Sequence, residues 1–127
     1  MKSTQIASLI VVACLSACGG GGNSNTAATP VQDTPVPKEV VSGINTSIAV
    51  GRSGNYTVDV TGTGNTILIH SGTVDRLTVS GVSNAITIHG ASVTSIVFSG
   101  SDNTITLPAA SMATVSDTGI RNKVVKQ

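Results

Sequence analysis

Five glycines, Gly43, Gly62, Gly81, Gly100 and Gly119, follow one another at intervals of nineteen residues, and no other feature limits the available folds so strongly. The text between them repeats as well. Gly62–Ser80 reads GTGNTILIHSGTVDRLTVS, Gly81–Ser99 reads GVSNAITIHGASVTSIVFS, and Gly100 opens a further copy with GSDNTITL. A fixed period of about twenty residues marks a stacked repeat architecture. Hairpin loops tolerate changes of length, so a meander would not hold the period so strictly.

Each unit carries two short apolar alternations. They are Ile48/Val50 then Val58/Val60, Ile67/Ile69 then Leu77/Val79, Ile86/Ile88 then Ile96/Phe98, and Ile105/Leu107 then Val115. Asp117 breaks the last slot, and Gly119–Val124 begins a fifth unit that stops. An alternation of period two is a strand with one buried face. β-Branched residues dominate these runs and Gly- or Asn-rich turns separate them, which argues against helix. One unit cannot bury its own apolar face, so neighbours must stack. The expected fold is therefore all-β: a short β-solenoid, parallel β-helix-like, of about four 19-residue coils over residues 43–127. An antiparallel meander is the alternative. At about 4.8 Å per coil the solenoid is a stub of only ~20 Å.

The chain has one Tyr, one Phe and no Trp, so its core must come from Val, Ile and Leu. With Val74, Val93, Met112 and Val124 added, the slots supply nineteen inward apolar side chains. Asn65, Asn84, Asn103 and Asn122 recur three residues after a glycine, which puts one amide at the same turn of every coil. Such amides can hydrogen-bond up the stack, each bond adding about 1 kcal/mol net. Thr46 holds this slot in the first unit and marks the end or cap of the ladder. The recurring glycines suit a turn position that requires positive φ.

The N-terminus reads as an address. Lys2 precedes an apolar run, Ile6–Ala17, shorter than the roughly 20 residues a spanning helix needs. The run ends in Leu15-Ser16-Ala17-Cys18, which resembles the bacterial lipoprotein signal of an aliphatic residue, two small residues and a cysteine. The resemblance implies a signal peptide over 1–17, a diacylglyceryl (palmitate-type) anchor on Cys18 and acylation of the new N-terminus. Val11-Val12-Ala13-Cys14 matches more loosely and would leave a shorter apolar region. Two acyl chains on one residue anchor firmly where one does not. Residues 18–42 then form the lipidated cysteine and a flexible linker, rich in Gly, Ser, Asn, Thr and spaced prolines. A coil of about 20 residues spans roughly 25 Å. Gly19 in place of an aspartate after the cysteine suits an outer-membrane destination, by the same resemblance.

Beyond Cys18 the chain has six basic residues (Lys38, Arg52, Arg76, Arg121, Lys123, Lys126) and six acidic ones (Asp33, Glu39, Asp59, Asp75, Asp102, Asp117). Zero net charge gives no long-range field to gather polyanions, so nucleic acid is not an expected partner. His70 and His89 lie nineteen residues apart and are the metal candidates, but Gly51 and Pro108 hold the equivalent places. Two ligands do not make a closed zinc site, and no metal or other cofactor is expected. Thr104-Ile105-Thr106 matches an ice-binding array while Thr66-Ile67-Leu68 and Ala85-Ile86-Thr87 do not. Asp75 beside Arg76 reads as an exposed ion pair. No nucleophile–base constellation or phosphate loop is present, and the chain is not expected to be an enzyme.

The units Gly62/Asn65/Ile67/Ile69, Gly81/Asn84/Ile86/Ile88 and Gly100/Asn103/Ile105/Leu107, each Gly-x-x-Asn-x-Ile-x-(Ile/Leu), resemble a bacterial family of unknown function. It is number three thousand and sixty in the series of uncharacterised domains. The resemblance implies a short exported repeat protein, often a lipoprotein, and no activity. The sequence thus points to a lipid-anchored protein of the bacterial cell envelope, structural or binding in role. A carbohydrate- or peptidoglycan-binding module is the alternative. The partners expected are the membrane through the anchor, and envelope polysaccharide or a second copy through the end coils.

Overall fold

A computed structural model describes residues 34–127. The signal peptide, Cys18 and most of the linker lie outside the described residues. Eight strands are formed: β1 Lys38–Val41, β2 Ser47–Val60, β3 Thr66–Val79, β4 Ala85–Ile88, β5 Ser92–Phe98, β6 Thr104–Leu107, β7 Thr114–Asp117 and β8 Lys123–Lys126. All pair in parallel. The meander is excluded, and the chain is a β-solenoid of about five turns at the nineteen-residue spacing.

Each coil contributes to three columns. The first runs from the start of β2 through the start of β3 to β4, β6 and β8. The second runs from β1 through the ends of β2 and β3 to β5 and β7. The third is a single residue per coil: Ile44, Thr63, Val82, Ser101 and Ile120 are joined by isolated parallel bridges. Partners are nineteen apart almost throughout, as in Ile67↔Ile86 and Leu77↔Ile96.

Between the first two coils the register departs from nineteen and then recovers it. Gly51 pairs Ser71, Asn55 pairs Thr73 and Tyr56 pairs Val74, before Thr57 meets Arg76. His70 and Asp75 are extra residues in the second coil, and Arg52–Gly54 holds two surplus residues in the first. The insertions cancel, so the regular period conceals them.

Pairing begins earlier than the linker boundary at 42 suggests, because β1 lies within that stretch. Val41 stacks on Val60 and is buried, which ties this strand to the core. Seventeen apolar residues make one core, including Val41 and Tyr56, which the alternation does not reveal. Tyr56 is buried because its local offset of eighteen places it on Val74.

Four of the expected inward residues are not fully buried. Met112 is 92% exposed and Val115 49%, while Ile48 and Val124 are only partly covered. Each lies in an end coil, where a core column has a neighbour on one side only. Residues 108–113 also lie outside the strands. Pro108, at their start, has no N–H for the ladder.

Candidate functional site

The most highly organised place in the molecule is the turn that carries the recurring glycine and asparagine. Asn84 Oδ1 accepts the backbone N–H of Asn65 at 2.9 Å and the Asn65 side-chain amide at 3.0 Å. Asn84 in turn donates its side-chain amide to the Gly62 carbonyl at 2.9 Å and to Asn103 Oδ1 at 3.1 Å. Asn103 repeats the pattern toward Gly81 and Asn122. Asn65, Asn84 and Asn103 are buried to within 1%. Among the described residues no buried side-chain nitrogen or oxygen lacks a partner. This matters because a buried polar atom left unpaired costs about 1–3 kcal/mol.

Both ends of the ladder are closed by a different residue. At the first coil, Thr46 donates its hydroxyl at 2.7 Å and its backbone N–H at 3.0 Å to Asn65 Oδ1. At the last, Asp117 Oδ1 accepts the Asn122 amide at 2.9 Å and the Gly119 N–H at 2.8 Å. Asp117 is the residue that breaks the apolar slot of Val60, Val79 and Phe98. Its carboxylate accepts the side-chain amide of Asn122, the donor that an asparagine oxygen of the next coil takes elsewhere in the ladder.

The recurring glycines do not have positive φ, which corrects the expectation drawn for Gly43, Gly62, Gly81, Gly100 and Gly119. They are needed for close approach along the stack. A Cβ on Gly62 would lie 2.1 Å from the Gly43 carbonyl oxygen, and one on Gly81 2.0 Å from that of Gly62. Gly100 and Gly119 would each meet the preceding carbonyl at 1.9 Å, and Gly43 would meet the Thr46 hydroxyl at 2.5 Å. The left-handed residue comes two positions later: Asn45, Gly64, Ser83, Asp102 and Arg121 all have φ between 52° and 67°. Asn, Asp and Gly tolerate that region best. Such a residue stands two places after three of the five glycines, as Asn45, Gly64 and Asp102, while Ser83 and Arg121 hold the other two places. The left-handed conformation lets Gly64 and Ser83 donate their N–H to Val82 and Ser101 of the following coil, both at 2.9 Å.

The remaining polar groups are dispersed. The His70 imidazole covers Gly51, where a Cβ would lie 2.6 Å from its Cε1 and Nε2. His89 occupies the corresponding place one coil on, after Ile88. Among the described residues no group of three or more His, Cys, Asp or Glu could hold a metal ion. Asp75 does not pair with Arg76; it accepts the Asn55 amide at 3.0 Å. Among the described residues the ion pairs are Lys38–Asp59 at 2.5 Å, Arg52–Glu39, and a two-point contact of Arg121 with Asp102 at 2.6 and 2.7 Å. The Arg121 hydrogen bond holds the Asp102 carboxyl below its ordinary range. Burial pushes the Tyr56 phenol up, with the Glu39 charge adding to it, and its hydroxyl donates to the Ser71 carbonyl at 2.8 Å.

Fold and turn together define a parallel β-solenoid whose coils are joined by an asparagine ladder. A family model described as "Protein of unknown function (DUF3060)" matches residues 60–122. The matched residues hold Asn65, Asn84, Asn103 and Asn122 together with Gly62, Gly81, Gly100 and Gly119. No curated protein and no solved structure matches the chain.

Proposed function

We propose that this is a lipid-anchored protein of a bacterial cell envelope, tethered through Cys18 and serving as a structural or binding module without catalysis. The observation that carries the reading is Leu15-Ser16-Ala17-Cys18 at the end of the apolar run Ile6–Ala17, followed by a Gly- and Pro-rich spacer. The first glycine after the cysteine favours the outer membrane. None of the described residues forms a helix long and apolar enough to cross a membrane. Mass spectrometry of membrane-extracted protein from its own host tests this. A mature N-terminus at Cys18 carrying acyl mass is expected; an unmodified chain in the medium would overturn it.

A second reading, a carbohydrate- or peptidoglycan-binding module, is favoured by the outer side of the first strand column. Ser47 pairs Thr66 there and Thr87 pairs Thr106, with Thr104 one coil beyond Ala85, all on the face turned away from the core. Retention on peptidoglycan or on an envelope polysaccharide supports it, and passage without retention counts against it.

A further inference from the structure

The two ends of the solenoid have the same phase. One end is built of β1, Ile44 and the start of β2; the other of β7, Ile120 and β8. Thr114 lies 76 residues after Lys38, which is four periods of nineteen, so β1 and β7 hold the same place in a coil. A second copy offset by five periods would lay Lys38–Val41 on Thr114–Asp117, Ile44 on Ile120 and Ser47–Val50 on Lys123–Lys126. Six of the eight exposed large hydrophobic residues belong to these ends: Val36, Val40 and Ile44 at one, Met112, Val115 and Ile120 at the other. The outer strands also offer a row of backbone donors and acceptors, which is a template for adding a chain. A head-to-tail contact of this kind does not close and builds a fibre.

Three core columns end in a charge instead of an apolar side chain. Glu39 heads the column of Val58, Leu77, Ile96 and Val115. Asp117 ends that of Val60, Val79 and Phe98, and Lys126 ends that of Val50, Ile69 and Leu107. In one copy all three are satisfied near water. Glu39 binds Arg52, Asp117 accepts from Gly119 and Asn122, and Lys126 donates to the Ser111 carbonyl at 2.9 Å. In the stacked arrangement Glu39 would face Val115, Asp117 would face Val41 and Lys126 would face Val50. Each charge would leave water for an apolar neighbour, a transfer that is costly without a partner.

We propose that the ends form a matched head-to-tail interface for a second copy of this chain, and that Glu39, Asp117 and Lys126 hold it shut. The interface does not depend on the lipid anchor. It leaves the side faces of the solenoid as the surfaces through which a single copy meets its partners.

The test uses the full chain in detergent with Cys14→Ser and Cys18→Ser, prepared separately with Ile44→Cys and with Ile120→Cys. Stacked bridge residues lie about 4.8 Å apart, within disulfide reach. Oxidised mixtures of the two preparations should give no crosslink between them. With Glu39→Val, Asp117→Val and Lys126→Leu added, a crosslink between unlike preparations should appear, at least about tenfold above the background of like ones. Crosslinking of the unlike preparations without those changes would overturn the proposal. So would a folded triple variant that fails to crosslink, or one that joins only like preparations. If circular dichroism shows the triple variant unfolded, Glu39→Gln, Asp117→Asn and Lys126→Met decide by the same readout, since they remove charge and keep shape.

Discussion

The turn at Gly81–Asn84 and the turn at Gly119–Asn122 have the same glycine and asparagine, three residues apart, and meet different surroundings. Asn84 is buried, accepts two hydrogen bonds from the coil before and donates to coils on both sides. Asn122 is half-buried, reaches the Gly100 carbonyl at 3.0 Å and is completed by Asp117 at the end of the preceding coil. The same contrast runs through the apolar columns, where Ile96 is fully buried and Val115, one coil on, is half exposed. A repeat therefore has no stability of its own. Its worth is set by how many neighbours it has, as in any one-dimensional stack.

The largest effect should come from adding one methyl group at the centre. Gly81→Ala would place a Cβ 2.0 Å from the Gly62 oxygen, and only separation of two coils relieves the clash. We expect a loss of about 4 kcal/mol or more by urea unfolding. Gly119→Ala creates the same clash with Gly100, but the last coil can move away alone, so its cost should be less than half as large. Equal costs at the two sites would break the comparison.

Next come the amides. Asn84→Leu leaves the buried Asn65 N–H without its acceptor and should cost about 2–4 kcal/mol, against about 1 kcal/mol for Asn122→Leu. An unchanged melting temperature for Asn84→Leu would rule out the ladder as a stabilising element.

A smaller effect separates the two ends by pH. The folded pKa of Tyr56 is raised, so its contribution is complete below the unfolded value near 10 and lost as pH rises through the folded one. Alkaline destabilisation should therefore begin above about pH 10. It should be reduced in Tyr56→Phe, which itself costs about 1 kcal/mol through the lost bond to Ser71. At the other end the Asp102 pKa is lowered, so its contribution is present above the ordinary carboxylate range and lost as pH falls through the folded value. Arg121→Ala should abolish that acid dependence and change neutral stability least of all, because the pair is exposed.

What the sequence made legible follows the same division. The period, the apolar columns and the asparagine positions are written into the middle coils, because each residue there has like residues nineteen places away on both sides. The ends were less legible. β1 shows only Val41 as a core residue beside two prolines, and Met112 stands at the sequence place of Val74 and Val93 yet lies exposed outside the strands. The role of the glycines was misjudged for a different reason. Tolerance of positive φ and tolerance of a carbonyl at van der Waals contact both select glycine, and only geometry separates them. The burial of Tyr56 is not legible in the sequence, because the cancelling insertions around it leave the overall period intact.

The most direct test is nuclear Overhauser spectroscopy on the uniformly labelled protein, read at the Asn84 side-chain amide and at the backbone of β3, β4 and β6. The parallel stack predicts cross-peaks from the Asn84 amide to Asn65 and Asn103, and between amide and α protons of residues about nineteen apart. Strong contacts between α protons of facing strands, with none linking Asn65, Asn84 and Asn103, would contradict it.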